Sequence, residues 1–217
     1  PYFLDKSSLI LQLIPDYFGN PAVQNYYFLQ GSNFNYNETT TGYVGIALFF
    51  LAIHALIWHW QERLIRFYVL LGAFCVAVAF RFPFVFSLVT KLPVFDSSAN
   101  HRLMLVLAFC VTVLGCLALQ KLSEATPERK KIRLTAVIFV AAAALMLGYA
   151  HYWESGFLQA GTDMAQMDRW QLIFVGFFIV DFVTFVAILI LARTRYRLVM
   201  LGLLVFIETG LHGAIYN

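Results

Sequence analysis

Charge is what this sequence has least of. Only 12% of its 217 residues are Asp, Glu, Lys or Arg, about half the share of an average soluble domain. Hydrophobic residues make up 61%, aromatics 17%, and mean hydropathy is +0.74. A soluble fold cannot cover that much apolar surface with so few polar side chains, and the abundance of aromatics excludes a disordered chain. Cysteine is also scarce. Cys75, Cys110 and Cys116 are too few for a disulfide scaffold, lie in apolar blocks, and read as small core residues. Cys110 and Cys116, about 240° apart around a helix, do not share a face. The sequence lacks a phosphate-binding glycine loop, Gly-x-Ser-x-Gly, His-Glu-x-x-His and Cys-x-x-Cys. No basic n-region with a cleavage site follows Pro1, so no signal peptide is expected, and the chain reads as a piece of something longer.

What is present is a series of long apolar runs. About 20 such residues cross the hydrocarbon layer as a helix. The spacing predicts an all-α, polytopic bundle with about six spans, near 43–60, 64–82, 103–120, 134–153, 170–192 and 198–215. Arg81-Phe82-Pro83 should break the second span, leaving 83–92 as a re-entrant or interfacial piece, although one kinked helix over 67–90 gives the same topology. Residues 1–42 form a separate external layer of loop with an interfacial helix at Leu9–Ile14, and 43–217 form the bundle.

Six spans sort the basic residues onto two sides. Arg63, Arg66, Lys121, Arg129, Lys130, Lys131, Arg133, Arg193, Arg195 and Arg197 share one side; Lys6, Arg81, Lys91, Arg102 and Arg169 share the other. The richer side is expected to be cytoplasmic, which places both ends of the chain outside a bacterial inner membrane. The outer loops are the longer ones, so elaborated chemistry is expected there.

Three groups of polar residues stand out. Asp181 and Glu208 fall near the middle of spans, where a carboxylate costs roughly 2.5–3.5 kcal/mol, so each is expected to be protonated or turned inward. They are either a proton or ion path or neutral helix-to-helix hydrogen bonds. His54 and His212 read as satisfied polar residues, and Ala144-x-x-x-Gly148 as a site of close helix packing. The external polar-aromatic run from Tyr26-Tyr27 through Asn33–Thr39 suits either hydroxyl-rich ligands or an interfacial aromatic belt, and Asn37-Glu38-Thr39 matches an N-glycosylation acceptor. Most informative is Leu92–Arg102, where a prolyl loop containing Asn100 leads to an arginine that starts a span from outside. Its planar fork suits phosphate oxygens, whether of one bound molecule or of lipid at large.

Leu92-Pro93-(x)8-Arg102 running into an Ala/Leu/Val-rich span resembles the bacterial YfhO-like membrane proteins. So do Pro15–Pro21, Asn35-Tyr36-Asn37-Glu38, Tyr43-Val44-Gly45-Ile46 and the final span with its acid at Glu208, in the same order. The resemblance covers nearly the whole chain and implies a GT-C-type glycosyltransferase. Such enzymes move a sugar from a polyprenyl-phosphate carrier to a cell-envelope acceptor outside the cytoplasm. Their principal acid lies in a first external loop, so this chain resembles a middle section, inactive alone. On that basis Arg102, with Arg81 or Lys91, would hold the carrier phosphate. Glu38 would be the catalytic candidate, and Asn35, Tyr36, Asn37, Tyr43 and Asn100 would contact substrate. A divalent cation would need oxygen ligands such as Glu38, Asp96 or Asp16, but the sequence shows no dedicated cage. Membrane lipid is an expected partner and nucleic acid is not. Two rivals stay open: a transporter or flippase module using Asp181 and Glu208, and a non-catalytic assembly subunit.

Overall fold

A computed structural model describes residues 4–19, 40–92, 100–124, 129–154, 164–191, 199–204 and 206–207, and these are helical with no strand. The α-helices are α1 (Ile46–Trp58), α2 (Arg63–Ala79), α3 (Pro83–Val89), α4 (Leu103–Glu124), α5 (Arg129–Glu154) and α6 (Met164–Leu191). Two 3₁₀ helices, Lys6–Gln12 and Asn100–Arg102, complete the labelled elements. Their order follows the expected spans, but several helices outrun the apolar windows. Helix α5 starts at Arg129 rather than near 134, because basic residues beyond the hydrocarbon continue a helix as well as apolar ones do.

Contacts set the directions. Glu62 meets Lys121 and Gly72 faces Leu107, so α2 and α4 are antiparallel. Gly115 lies against Leu48, and α1 runs parallel to α4. Phe50 meets Phe139 and His54 meets Thr135, which makes α1 and α5 antiparallel. Helix α1 therefore sits centrally, touching α2, α4, α5 and α6. Along α4, Met104, Leu107, Val111, Leu114, Ala118 and Leu122 recur every three or four residues and are buried, as an amphipathic stripe requires. A Cβ on Gly115 would stand 2.7 Å from Leu48 Cδ2 and 3.3 Å from the Leu48 carbonyl, so the α1–α4 approach needs a glycine. Phe50, Phe139, Phe178, Phe182 and Phe185 join α1 to α5 and α6, with Phe139 and Phe182 stacked at 5.1 Å.

The reverse faces are apolar and exposed, Leu145, Leu172 and Phe177 among them. Large aliphatic and aromatic side chains facing outward on long helices mark a multi-pass membrane protein. By length and composition three stretches can each cross a membrane, Asn100–Glu124, Arg129–Tyr152 and Gln171–Ile190, and α2 with α3 makes a fourth if the bent pair is one span. Thus three to four of the six expected spans are present at this level. Helix α1, with 13 residues, is about 20 Å long, short of the roughly 30 Å hydrocarbon layer. It begins at Gly45, whose φ of 91° favours glycine. The expected final span lies largely outside the described residues.

Three local readings change. Leu9–Ile14 was expected to lie in the interface, but Ile10, Leu11, Leu13 and Ile14 are buried against the bundle. The 3₁₀ helix Lys6–Gln12 packs on α5, Leu4 N–H donates to the Ala79 carbonyl, and Gln12 lies against Gly42. A short apolar run that can cover helix ends has more to gain there than at a headgroup layer. Cys116 is exposed rather than in the core, unlike Cys75 and Cys110. Ala144 and Gly148 are exposed, and nothing stands within 4 Å of a Cβ built on Gly148, so among the described residues no helix uses that pair.

Candidate functional site

One end of the bundle gathers the approach to α1 at Gly42, the end of α2, α3, the start of α4 and the 3₁₀ helix Lys6–Gln12. Arg102 stands at this end. It closes the Asn100–Arg102 turn, which packs against both α2 and α4. Asn100 and His101 are buried, 2% and 6% exposed, whereas Arg102 is exposed. The turn is thus anchored by two polar side chains and projects the third. Among the described residues, the Arg102 guanidinium makes no hydrogen bond or ion pair. Asn100 is removed from the surface, so its place in the site is beneath Arg102 rather than beside an incoming ligand.

Arg81 is placed by backbone geometry. The Phe82 N–H donates to the Ala77 carbonyl at 2.8 Å and the Arg81 N–H to that of Val78 at 3.2 Å, the paired bonds of a Schellman ending. Such an ending needs a left-handed residue, and Arg81 supplies it with φ of 54°. Pro83 then opens α3 at its first turn, where its missing N–H is harmless. The expected break at Arg81-Phe82-Pro83 is therefore present, and the chain turns by 86°. The Arg81 guanidinium lies 5.3 Å from the Phe86 ring centre, and Lys6 Nζ lies 5.5 Å from that of Phe82. Lys91 is exposed just beyond α3. Asp5 is engaged locally, capping its 3₁₀ helix by accepting from Ser7 N–H at 2.9 Å and Ser7 Oγ at 2.8 Å. Asp16 is buried. Tyr43 is half-buried at the approach to α1, its N–H donating to the Thr40 carbonyl. Glu38, Asn35, Tyr36, Asn37, Asp96 and Glu208 lie outside the described residues.

The intramembrane polar residues divide. His54 is buried, with Nδ1 3.0 Å from Thr135 Oγ1. Trp58 Nε1 donates to the same oxygen at 3.0 Å, and Thr135 Oγ1 donates back to the Lys131 carbonyl at 2.9 Å. A hydroxyl has one proton and two lone pairs, so this arrangement uses all three and assigns the His54 proton to Nδ1. Nothing in the sequence pattern pairs Thr135 with α1, and a lone Thr in an apolar helix carries no such signal. Asp181 is half-buried on α6 and has no partner among the described residues. Glu208, the other acid of the transporter alternative, lies outside them. No group of three or more His, Cys, Asp or Glu side chains suited to a metal occurs among the described residues.

No protein-family model, curated protein or solved structure matches the chain.

Proposed function

We propose that the chain is part of an integral membrane glycosyltransferase that uses a polyprenyl-phosphate-linked sugar to modify a cell-envelope acceptor on the outer face of the bacterial inner membrane. The observation that carries this reading is Arg102: exposed, without a counter-ion among the described residues, and held by a turn whose other two side chains are buried. In this reading the chain crosses the membrane six times, with the Arg102 end outward and the more basic end in the cytoplasm.

The carrier keeps its tail among lipid chains and its phosphate at headgroup depth. Breaking the sugar–phosphate bond increases the negative charge on the departing phosphate, so a cation fixed there favours the transition state over the ground state. Arg102 supplies a bidentate donor and Lys91 a second charge. Glu38 acts on the acceptor or holds sugar hydroxyls, and Asn35, Tyr36, Asn37 and Tyr43 contact substrate. A divalent cation, if used, draws on Glu38 and Asp96.

The test is transfer of labelled sugar from a polyprenyl-phosphate donor by the full-length protein. Arg102→Ala should cost about 100-fold or more in rate, the scale of losing one oxyanion-stabilising donor, with Arg102→Lys recovering part of it. Wild-type rates in a well-expressed Arg102→Ala protein would overturn the assignment. Asp181 favours a second reading, a transporter or flippase, because its carboxyl lies mid-helix without a partner among the described residues. That reading requires Asp181→Asn to abolish function while Arg102→Ala does not.

A further inference from the structure

Helix α3 is too short to cross a membrane and is turned across the bundle. Seven residues span about 10 Å, and α3 lies at 86° to α2. Its two neighbours in sequence, α2 and α4, are antiparallel and packed together, so the segment between them leaves and re-enters the bundle at the same end. If α2 follows the membrane normal, α3 runs along the membrane surface. Phe84 and Leu88, one helical turn apart, are 83% and 62% exposed, while Val89 is turned inward. Two further aromatic side chains of this segment lie beside cations, Phe82 under Lys6 and Phe86 under Arg81. The elbow thus presents an apolar edge and, beside it, two positive charges.

We infer that this elbow is an anchor for the anionic lipid leaflet at the Arg102 end. Phe84 and Leu88 enter the acyl layer, and Lys6 and Arg81 hold headgroup phosphates above it, the arrangement of an in-plane amphipathic helix. Charge decides the occupant. A protein partner with a purely apolar face would leave the two cations against a surface unable to complement them, whereas an anionic leaflet meets both parts at once. The anchor is independent of the glycosyltransferase reading, since it needs only that α4 crosses the membrane and that α2, packed against it, reaches the same surface.

Depth measurement tests it. With Cys75, Cys110 and Cys116 replaced by serine or alanine, a fluorophore on Phe84→Cys is read in nanodiscs containing phosphatidylglycerol. Quenching should be strongest from lipids labelled near the headgroup. Strong quenching by an aqueous quencher, strongest quenching by lipids labelled deep in the chain, or shielding from all quenchers would each overturn the proposal. The second measurement is the preference of the whole chain for phosphatidylglycerol over phosphatidylcholine, read with spin-labelled lipids. Each cation near the surface should count about fivefold, so Lys6→Gln and Arg81→Asn should each reduce it by about that factor. Asparagine tolerates the left-handed backbone at position 81, so the turn survives the loss of charge. An unchanged preference in folded Arg81→Asn protein would overturn the headgroup assignment.

Discussion

The two ends of the bundle place their charges differently. At the Lys121 end cations are many. Arg63, Arg66, Arg129, Lys130 and Arg133 are exposed on helix surfaces, where no particular geometry is imposed on them. The polar groups nearer the helix contacts pair with one another: Lys121 Nζ lies 2.6 Å from Glu62 Oε1, Lys131 Nζ 5.4 Å from the Trp58 ring centre, and Thr135 ties His54 to Trp58. At the Arg102 end cations are few and positioned, by a left-handed backbone at Arg81 and by two buried neighbours at Arg102. The first pattern serves helix contact. The second suits a phosphate ligand, because a backbone held before the ligand arrives leaves only the side chain to be ordered on binding.

Four substitutions can break or sharpen that contrast. The largest effect is expected from Arg102→Ala, roughly 100-fold or more in sugar transfer by the full-length protein; Arg63→Ala in a parallel assay should leave transfer unchanged. Next comes Gly115→Leu. It drives a side chain into Leu48 and its carbonyl, and overpacking of this kind costs about 1–3 kcal/mol, read as a lower unfolding temperature in detergent. Thr135→Val should cost a similar or smaller amount, about 1–3 kcal/mol, because it strands the buried His54 and the Trp58 N–H, while Thr135→Ser retains most of it. The smallest effect is expected from Glu62→Gln. Both partners of the Lys121 pair are about a third exposed or more, so the loss should stay within about 1 kcal/mol and shrink in high salt. An effect of Glu62→Gln larger than that of Thr135→Val would reverse the account of what holds the Lys121 end together.

Much of the fold was legible because it rests on period and length. Apolar windows located α1, α2, α4, α5 and α6, and the Arg81-Phe82-Pro83 break announced both the end of α2 and the start of α3. Window edges were displaced where polar residues prolong a helix beyond the lipid, as at Arg129. The burial of Leu9–Ile14 was not legible, since a six-residue apolar run carries the same pattern whether it meets headgroups or a helix end. The use of Gly115 rather than Gly148 for close packing depends on which helices become neighbours, and periodicity does not encode that. Of the candidate site, Arg102 and Arg81 were found from residue type and position, but their different support, a buried turn in one case and a Schellman ending in the other, depends on backbone geometry. The Lys6 contact with Phe82 joins residues far apart in sequence and left no trace in either segment.

Direct binding tests the central claim most closely. An isoprenyl monophosphate is titrated into the purified protein in nanodiscs, with wild type, Arg102→Ala and Arg63→Ala compared side by side. Loss of a charge-assisted hydrogen bond to phosphate predicts about tenfold or greater weakening for Arg102→Ala and none for Arg63→Ala. Equal affinity in all three proteins would contradict the assignment of Arg102 to a carrier phosphate.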